Sequence, residues 1–270
     1  MYDTLLFSAG GSLGLSFIGA IEALIDSKQL DLKNVKTIAG ISIGSIIGLL
    51  IILFKDINYI KELVLNLNFS IVDNCKDAFY FLQHFGFENG EKYMLLIKTI
   101  LETHYNANIT FKDLFNETKI LFIIQATNLN KYSLTTFSHI ETPDLEIIKA
   151  IRMSISIPFY FTPIKYMDDY HVDGGVLTYS PHVPDLNIEK TILFRVKRLI
   201  QPEESYASFI DYMIDVWICF LTYRIDKVNI ANTIEIELDD VKLLPCINDI
   251  KIMFMKGYNA GSSFNLSIEN

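Results

Sequence analysis

The stretch that decides the fold is Thr37–Phe54, TIAGISIGSIIGLLIILF, an uncharged run of apolar and small residues. It has two physical interpretations. In the first, residues 35–39 form a buried strand, Gly40–Gly44 form a sharp turn, and a core helix begins at Ser45. This pattern, Gly-x-Ser-x-Gly, is typical of a nucleophile elbow: the central serine, Ser42, lies on a strained turn, and small neighbours let strand, helix and a substrate carbonyl come close.

In the second interpretation the whole run is one membrane-spanning helix, since about 17 to 25 apolar residues suffice to cross a bilayer. Gly40, Gly44 and Gly48 are spaced four apart and would then form a helix-dimerisation face of the small-xxx-small kind. The run alone leaves both interpretations open, because Gly-x-Ser-x-Gly by itself is a weak signal. The rest of the chain has to discriminate between them.

The composition limits the class of protein. The chain has 270 residues, no Pro-, Gly- or Ser-rich linker divides it, and we expect one domain over residues 1–270. Hydrophobic residues make up 50% of the chain, which suits a large core and an apolar ligand site. The net charge of −9 argues against a nucleic-acid-binding protein and against electrostatic docking to anionic lipid. Any membrane contact therefore has to come mainly from apolar and aromatic side chains.

The N-terminus and the cysteines indicate the compartment. The first residues, MYDT, lack the basic start of a secretory signal, so we expect a cytoplasmic protein without a signal peptide and with transient, peripheral membrane contact. The three cysteines, Cys75, Cys219 and Cys246, are widely scattered and are expected to be reduced core residues. Neither the cysteines nor the five histidines show metal-ligand spacing, so we expect no metal site and no cofactor.

A second glycine turn precedes the decisive stretch. Residues 4–7 predict a short strand, residues 8–14 a glycine turn, and residues 15–25 a helix with apolar residues at helical spacing. The order strand, helix, strand, helix predicts a parallel α/β sheet that binds its ligands at the carboxyl ends of the strands, where both glycine turns lie. The N–H groups at the start of the first helix would point into the glycine loop, where an anion could be held.

The rest of the chain continues the α/β pattern. Residues 56–119 are richer in charge and largely helical, and form either a cap over the active site or an ordinary helical layer on the sheet. Further strands are predicted over residues 120–127, 132–137, 190–196 and 233–238. Further helices are predicted over residues 147–155, 206–226 and 249–260.

Five short blocks occur in order along the chain: Ala9–Gly14 (AGGSLG), Gly40–Ser45 (GISIGS), Ala126–Asn130 (ATNLN), Ser154–Pro158 (SISIP) and Asp173–Gly175 (DGG). Each block is weak alone, but together they resemble the patatin-like phospholipase family, over roughly residues 5–181. The resemblance implies a single patatin-like domain with a three-layer α/β fold, in which a mostly parallel central sheet is flanked by helices.

The same resemblance implies a chemistry. It is that of a serine lipid acyl hydrolase of the phospholipase A type, which cleaves acyl esters of phospholipids or related lipids through an acyl-enzyme. Ser42 is implied as the nucleophile and Asp173 as its base, in a dyad without histidine. The backbone N–H groups of Gly10, Gly11 and Ser12 are implied as the oxyanion hole. Glycines support these three turns: Gly14, Gly40, Gly44, Gly174 and Gly175.

Two positions depart from the family pattern. Ala9 stands where the first glycine usually stands, and Leu13 replaces the usual Lys or Arg. Loss of that cation affects either headgroup preference or catalytic rate, so a catalytically weakened member that acts as a lipid-binding or interaction module stays open. A membrane-anchored protein that spans at residues 37–54 also stays open. The sequence does not indicate whether an activator or an oligomer is required.

Two other enzyme classes fit less well. A Ser-His-Asp hydrolase normally places its histidine late, yet the last histidine is His182. His171 is the sharpest test of a histidine base, because on an extended strand it would share the face of Asp173. A dinucleotide-binding domain needs an Asp or Glu at the end of its second strand, and residues 39–42 contain none.

Overall fold

The computed structural model describes residues 1–67, 76–199, 230–239 and 245–268, together with positions 209, 212, 213, 215, 216 and 219. The helices of this part are α1 (Phe17–Asp26), α2 (Ile43–Phe54), α3 (Ile57–Asn66), α4 (Ala78–His84), α5 (Glu91–Leu101), α6 (Phe111–Thr118), α7 (Ile147–Ser154) and α8 (Ile247–Ile268). Its strands are β1 (Thr4–Phe7), β2 (Thr37–Ile41), β3 (Gly86–Glu88), β4 (Leu121–Asn128), β5 (Ser133–Phe137), β6 (Phe159–Phe161), β7 (Ile164–Tyr166), β8 (Asp169–Asp173), β9 (Thr191–Arg198) and β10 (Thr233–Leu238). The helix predicted over residues 206–226 lies for the most part outside the described residues.

The central sheet is mixed and mostly parallel. Its strands follow the order β10-β9-β1-β2-β4-β8-β7, and β5 also pairs with β4. The first five strands of that order are mutually parallel. In contrast, β5 and β8 are antiparallel to β4, and β7 is antiparallel to β8. The predicted α/β fold with a mostly parallel central sheet flanked by helices is confirmed.

Side chains alternate between the two faces of the sheet. Leu5 and Phe7 of β1 belong to the main core, which includes apolar residues of α1, α2, α7 and α8. Leu6 points to the opposite face and packs with Ala39 and, from the segment before β9, Val183. The central strands are therefore covered on both faces, which explains why they read as continuous apolar runs.

The decisive stretch Thr37–Phe54 is divided in the structure. Its first five residues form β2, its last twelve form α2, and Ser42 lies between them. At 1.5 Å per residue α2 is about 18 Å long, far short of the roughly 30 Å of a bilayer core. Within the described ranges, no helix combines the length and the apolar character that a membrane span needs. The interpretation of residues 37–54 as one spanning helix is therefore wrong.

The helical region 56–119 packs on the core along most of its described length. Ile60 of α3, Ile97 of α5 and Phe111 of α6 belong to the main core. In α4, by contrast, no residue is buried. The short strand β3 pairs with β6, and so connects this region to the chain that follows α7.

The prediction for the cysteines is wrong where it can be examined. Cys219 and Cys246 are exposed free thiols and do not belong to the core. Cys75 lies outside the described residues. Scattered spacing indicates that cysteines are unpaired, but it does not report whether the surrounding segment is buried.

Candidate active site

Ser42 lies on the sharp turn between β2 and α2. Its backbone angles are φ 54° and ψ −127°, a conformation that residues with a side chain rarely adopt. A side chain at Gly40 would overlap with the backbone of Gly44 and Ser45, and one at Gly44 would overlap with the backbone of Phe7. The two glycines therefore let α2 begin directly against β1 and β2, as the elbow pattern predicts.

Hydrogen bonds hold the strained peptide of Ser42 on both sides. Its N–H donates to Oγ of Ser154 (2.8 Å), and the Ser154 hydroxyl donates to the carbonyl of Gln125 (2.7 Å). The carbonyl of Ser42 accepts from the Ser45 hydroxyl at 2.6 Å. Ser154 is the first residue of the SISIP block, at the end of α7. The structure thus gives this block a role that the sequence did not indicate: it braces the turn.

Asp173 reaches the elbow because β2 and β8 occupy the same edge of β4. The pairing of β2 with β4 ends where Ile41 lies opposite Gln125, and the pairing of β8 begins where Asp173 lies opposite Ala126. Since β5 takes the other edge of β4 over this stretch, β8 continues the line of β2. The two strands run toward each other, and their carboxyl ends meet. This arrangement brings Asp173 next to the turn that carries Ser42.

The carboxyl of Asp173 is buried, and burial raises its pKa from 3.8 to about 7. Hydrogen bonds from the Ser42 side chain and the Gly175 N–H act in the opposite direction. The Gly175 N–H donates to Oδ1 at 2.7 Å. Oδ2 is buried, and within the described residues it has no hydrogen-bond partner. A carboxyl with this pKa can accept a proton at neutral pH.

The two glycines after Asp173 are needed for this approach. A side chain at Gly174 would overlap with the Gln125 carbonyl and with Ile41. One at Gly175 would crowd the Asp173 carboxyl itself. The Asp-Gly-Gly block therefore fits beside the end of β2 and against β4 only without a side chain at Gly174, and it is crowded at Gly175.

The glycine loop Ala9–Gly14 lies beside the elbow, because β1 and β2 are adjacent parallel strands. A side chain at Gly14 would overlap with Ile43, the first residue of α2. On the other side of the loop, Ala9 lies close to Gly175. The structure thus brings all three predicted turns together at one end of the sheet.

The predicted oxyanion hole occupies the start of a short 3-10 helix, Gly11–Ser16. Gly10 is its N-cap, and Gly11 and Ser12 are its first residues. N–H groups at a helix start point away from the helix, toward whatever lies before it. Gly11 has φ 52°, a backbone conformation that favours glycine, and a side chain at this position would meet no other atom.

A comparison with known protein families identifies the family to which this chain belongs. The model of the family described as "Patatin-like phospholipase" matches residues 5–183, well over half of the chain. The chain belongs to the patatin-like phospholipase family. This agrees with the predicted resemblance in both family and extent.

Curated relatives of this patatin-like chain occur in viruses. It is 34% identical over 193 residues to "Uncharacterized protein R571" of Acanthamoeba polyphaga mimivirus, a match that covers 70% of this chain and 63% of the relative. It is 31% identical over 189 residues to "Probable lipid hydrolase 463L" of Invertebrate iridescent virus 6, a match that covers 67% of this chain and 62% of the relative. The chain thus spans less than two thirds of the length of these relatives.

Solved structures share the patatin-like fold. VipD from Legionella pneumophila superimposes with a TM-score of 0.74 at 16% identity, over 98% of this chain and 67% of VipD. ExoU of the type III secretion system of Pseudomonas aeruginosa, in complex with SpcU, superimposes with a TM-score of 0.55 at 14% identity, over 98% of this chain and 52% of that one. At such identities the likeness concerns the fold alone.

In this patatin-like chain, Arg152 supports Asp173 in a way that the sequence analysis missed. Its Nη1 donates to Oγ of Ser156 at 2.5 Å, and the Ser156 carbonyl accepts from the Asp173 N–H at 2.8 Å. Burial lowers the pKa of Arg152 to about 10, against the charge of Glu88, which raises it. The available signal was an arginine among the apolar residues of the predicted helix 147–155, two residues before the SISIP block.

His171 and His182, the histidines nearest to Asp173 in the sequence, contact residues other than Ser42 and Asp173. His171 is buried, and its Nε2 lies 3.3 Å from Oγ1 of Thr135, on β5. Burial lowers the pKa of His171. His182 is exposed, and it is its main chain that hydrogen bonds with the side chain of Gln125. Neither contact places an imidazole between Ser42 and Asp173.

Proposed function

We propose that this chain is a serine lipid acyl hydrolase of the phospholipase A type, which cleaves acyl esters of phospholipids or related lipids. The observation that carries the proposal is the buried carboxyl of Asp173, with a pKa near 7, beside the strained and buried Ser42. A nucleophile and a base matched to neutral pH are the minimum that ester cleavage through an acyl-enzyme requires. The printed name of the iridescent-virus relative, a probable lipid hydrolase, supports the same class of reaction.

In the first half of the reaction, Oγ of Ser42 adds to the carbonyl carbon of the ester while its proton passes to the carboxylate of Asp173. The carbonyl oxygen becomes an oxyanion and accepts hydrogen bonds from the loop N–H groups of Gly10, Gly11 and Ser12. One such donor typically stabilises the transition state by about 2.7 to 4 kcal/mol. The ester C–O bond then breaks, Asp173 returns the proton to the leaving alcohol oxygen, and the acyl group stays on Ser42.

In the second half, a water molecule attacks the acyl carbonyl and gives a proton to Asp173. The same N–H groups stabilise the second oxyanion. When this intermediate collapses, the bond to Ser42 Oγ breaks, the proton returns from Asp173 to that oxygen, and the carboxylic acid leaves. One carboxyl thus acts as base and acid in turn, which a pKa near 7 favours in both directions.

The position of Leu13 supports a second candidate function. Its side chain is buried in the main core, so the glycine loop has no cation where the family usually has one. Loss of that charge would weaken phosphate recognition or turnover. The competing proposal is a member of the family that binds lipid but turns it over weakly.

Reaction with a fluorophosphonate separates the two proposals. We expect it to label the wild type at Ser42 and to leave Ser42→Ala unlabelled. On a water-soluble short-chain ester, Ser42→Ala and Asp173→Asn should each lower kcat by a factor on the order of 10⁴ to 10⁶. His171→Ala is the matched control, and we expect it to keep most of the wild-type kcat.

Three outcomes would contradict the proposal. Absence of labelling in a folded wild type would favour the lipid-binding module. Retention of more than a few per cent of activity by Ser42→Ala or Asp173→Asn would exclude the dyad. A loss of about 10³ or more in His171→Ala, with an unchanged melt, would transfer the role of base to that imidazole.

A further inference from the structure

Two tight turns lie side by side beyond the active site. One joins β4 to β5 at residues 129–132, and the other joins β7 to β8 at residues 167–168. We call residues 129–132 and 167–170 together the double-turn tip. Hydrogen bonds and an ion pair join its two parts: Leu129 N–H to the Tyr170 carbonyl (2.9 Å), Tyr170 N–H to Asn130 Oδ1 (2.7 Å), Asn128 Nδ2–H to Asp169 Oδ2 (2.8 Å), and Lys131 Nζ with Asp169 Oδ2 (2.7 Å).

The double-turn tip displays large apolar and aromatic side chains to solvent. Leu129, Tyr132, Met167 and Tyr170 are all exposed, Tyr132 and Met167 to 85% and 79%. Tyr132 and Met167 also have left-handed backbone, with φ 50° and 53°. Asn or Gly would occupy these turn positions with less strain. Such strained positions are frequently associated with a binding function.

The double-turn tip lies beyond the same end of the sheet as the active site. β4 continues past the end of β2, where Ile41 lies opposite Gln125, and leads directly into the first turn. β8 runs from Asp169 in the tip to Asp173 in the active site, a span of roughly 13 Å at strand spacing. A surface that contacts the tip therefore lies near Ser42 as well.

Charges around the double-turn tip are balanced, although the chain as a whole carries a net charge of −9. Lys131 and Asp169 form an ion pair within the tip, and the charge of Asp168 is matched by that of Lys165, which lies on β7 just before the second turn. A balanced tip has no net repulsion from a zwitterionic lipid surface, whereas the acidic chain is repelled by an anionic one. Tyrosine rings prefer the headgroup level of a bilayer, and lysine stems extend toward water from it.

We propose that the double-turn tip docks the chain on a zwitterionic lipid surface by placing Leu129, Tyr132, Met167 and Tyr170 at the headgroup level. Docking holds Ser42 at the interface where its substrate lies. The purpose of docking rests on the proposed lipid acyl hydrolase activity, but docking itself needs no turnover. The two can therefore be measured separately.

The test compares the double variant Tyr132→Asn/Met167→Asn with Ile140→Asn. Asn tolerates the left-handed backbone, so the double variant should melt at or above the wild-type temperature. Ile140 is 66% exposed and follows β5, at the end of the β4–β5 pair opposite the tip, which makes it the matched control. Co-flotation with phosphatidylcholine vesicles measures docking. Turnover of a water-soluble short-chain ester measures the active site independently.

We expect the double variant to bind vesicles on the order of 10- to 100-fold more weakly than the wild type, since it loses two large apolar side chains. Its hydrolysis of vesicle lipid should fall in parallel, while its turnover of the soluble ester stays unchanged. Ile140→Asn should match the wild type in all three assays.

The proposal is overturned if the double variant binds vesicles like the wild type, or if Ile140→Asn loses as much. It is also overturned if the wild type does not bind phosphatidylcholine vesicles, or if the double variant loses self-association and not vesicle binding, which would assign the tip to a contact between copies. Vesicle binding that depends on the tip in a wild type without ester turnover would overturn the proposed enzymatic function alone.

Discussion

Ser42 and Tyr132 have nearly the same backbone φ, 54° and 50°, in opposite surroundings. Ser42 is 4% exposed, and hydrogen bonds from Ser154 and Ser45 fix its peptide. Tyr132 is almost fully exposed at the end of a hairpin. A positive φ thus aims a single buried oxygen atom in one place and accompanies the display of a large side chain in the other.

The difference between them lies in what maintains the strain. Residues in sparsely populated backbone regions cost of order 1 to 3 kcal/mol each and persist where the surroundings determine them. At Tyr132 a substitution to Asn removes the cost. At Ser42, ψ −127° lies outside the left-handed region that Asn tolerates, and any substitution removes the hydroxyl, so that turn can be altered only through its supports. The predictions below change the packing, the neighbouring charge and the hydrogen bonding of the buried turn, one at a time.

The largest effect is expected from Gly40→Ala. The added methyl group would overlap with the backbone of Gly44 and Ser45, so α2 would have to move away from β2. We expect a loss of about 4 kcal/mol or more in the free energy of unfolding, measured by urea denaturation. Gly11→Asn is the control, because Gly11 has φ 52° and open space that Asn tolerates.

Unfolding of Gly40→Ala at the wild-type urea midpoint would show that α2 is not held by close packing against β2. A loss in Gly11→Asn as large as in Gly40→Ala would show that the loop and the elbow are equally intolerant of side chains. Either result would remove the contrast between the crowded turn around Ser42 and the open loop around Gly11.

A smaller effect concerns the charge of Asp173. Because burial raises its pKa from 3.8 to about 7, the folded state holds this proton more tightly than the unfolded chain. The corresponding stability is complete below the unfolded pKa and is lost as pH rises through about 7, with an upper limit of about 4 kcal/mol. Asp173→Asn should therefore raise the melting temperature more at pH 8 than at pH 5.

The same carboxyl must be ionised to accept the proton of Ser42. Turnover of a soluble ester by the wild type should therefore rise with pH through about 7, in the range where the stability falls. Thermal melts and initial rates over one buffer series test both trends. An Asp173→Asn variant that melts below the wild type at pH 8 would contradict the linkage.

The smallest effect is expected from Ser154→Ala. It leaves the N–H of Ser42 buried without its acceptor, which costs about 1 to 3 kcal/mol of unfolding free energy. A displaced Oγ should lower kcat about 10- to 100-fold, with KM nearly unchanged. Ser154→Thr keeps the hydroxyl and should restore part of kcat.

Ser138→Ala is the matched control. It removes another buried hydroxyl, which accepts hydrogen bonds from the N–H groups of Ile140 and Glu141, and it should lower stability without lowering kcat. Equal kcat values for Ser154→Ala and Ser138→Ala would show that the hydrogen bond from Ser42 to Ser154 contributes to stability but does not position Oγ for the reaction.

The sequence was sufficient to predict the features that depend on local pattern. Strand, turn and helix around Ser42 follow from an apolar run interrupted by Gly40 and Gly44, where any side chain would overlap with the backbone of a neighbouring element. The order of the five blocks predicted the family and the set of turns that meet in the site. Strand ends differed by about two residues, because pairing with neighbouring strands extends β2 to Ile41.

Features that depend on partners distant in the chain were not predictable in this way. The bracing role of Ser154 requires that α7 end beside the elbow, and nothing in the SISIP block states that. Gln125 and Arg152 were overlooked because a buried polar residue in an apolar run has no signal of its own partner. Exposure of Cys219 and Cys246, and of Tyr132 in the tip, likewise depends on what packs around each segment.

The shared edge of β4 has a consequence for the order of assembly. The register of β2 and that of β8 are both set by pairing with β4. A slip of β8 by one residue would move Asp173 by about 3.3 Å and turn it to the other face of the sheet. A chain that has formed β1, β2 and β4 therefore has Ser42 on its turn but does not yet have Asp173 beside it. Asp173 arrives when β8 pairs with β4 and so closes the long stretch of chain that separates it from β2. The two side chains of the site would come together only once this pairing has formed, so a chain that lacks it would not cleave esters by this arrangement.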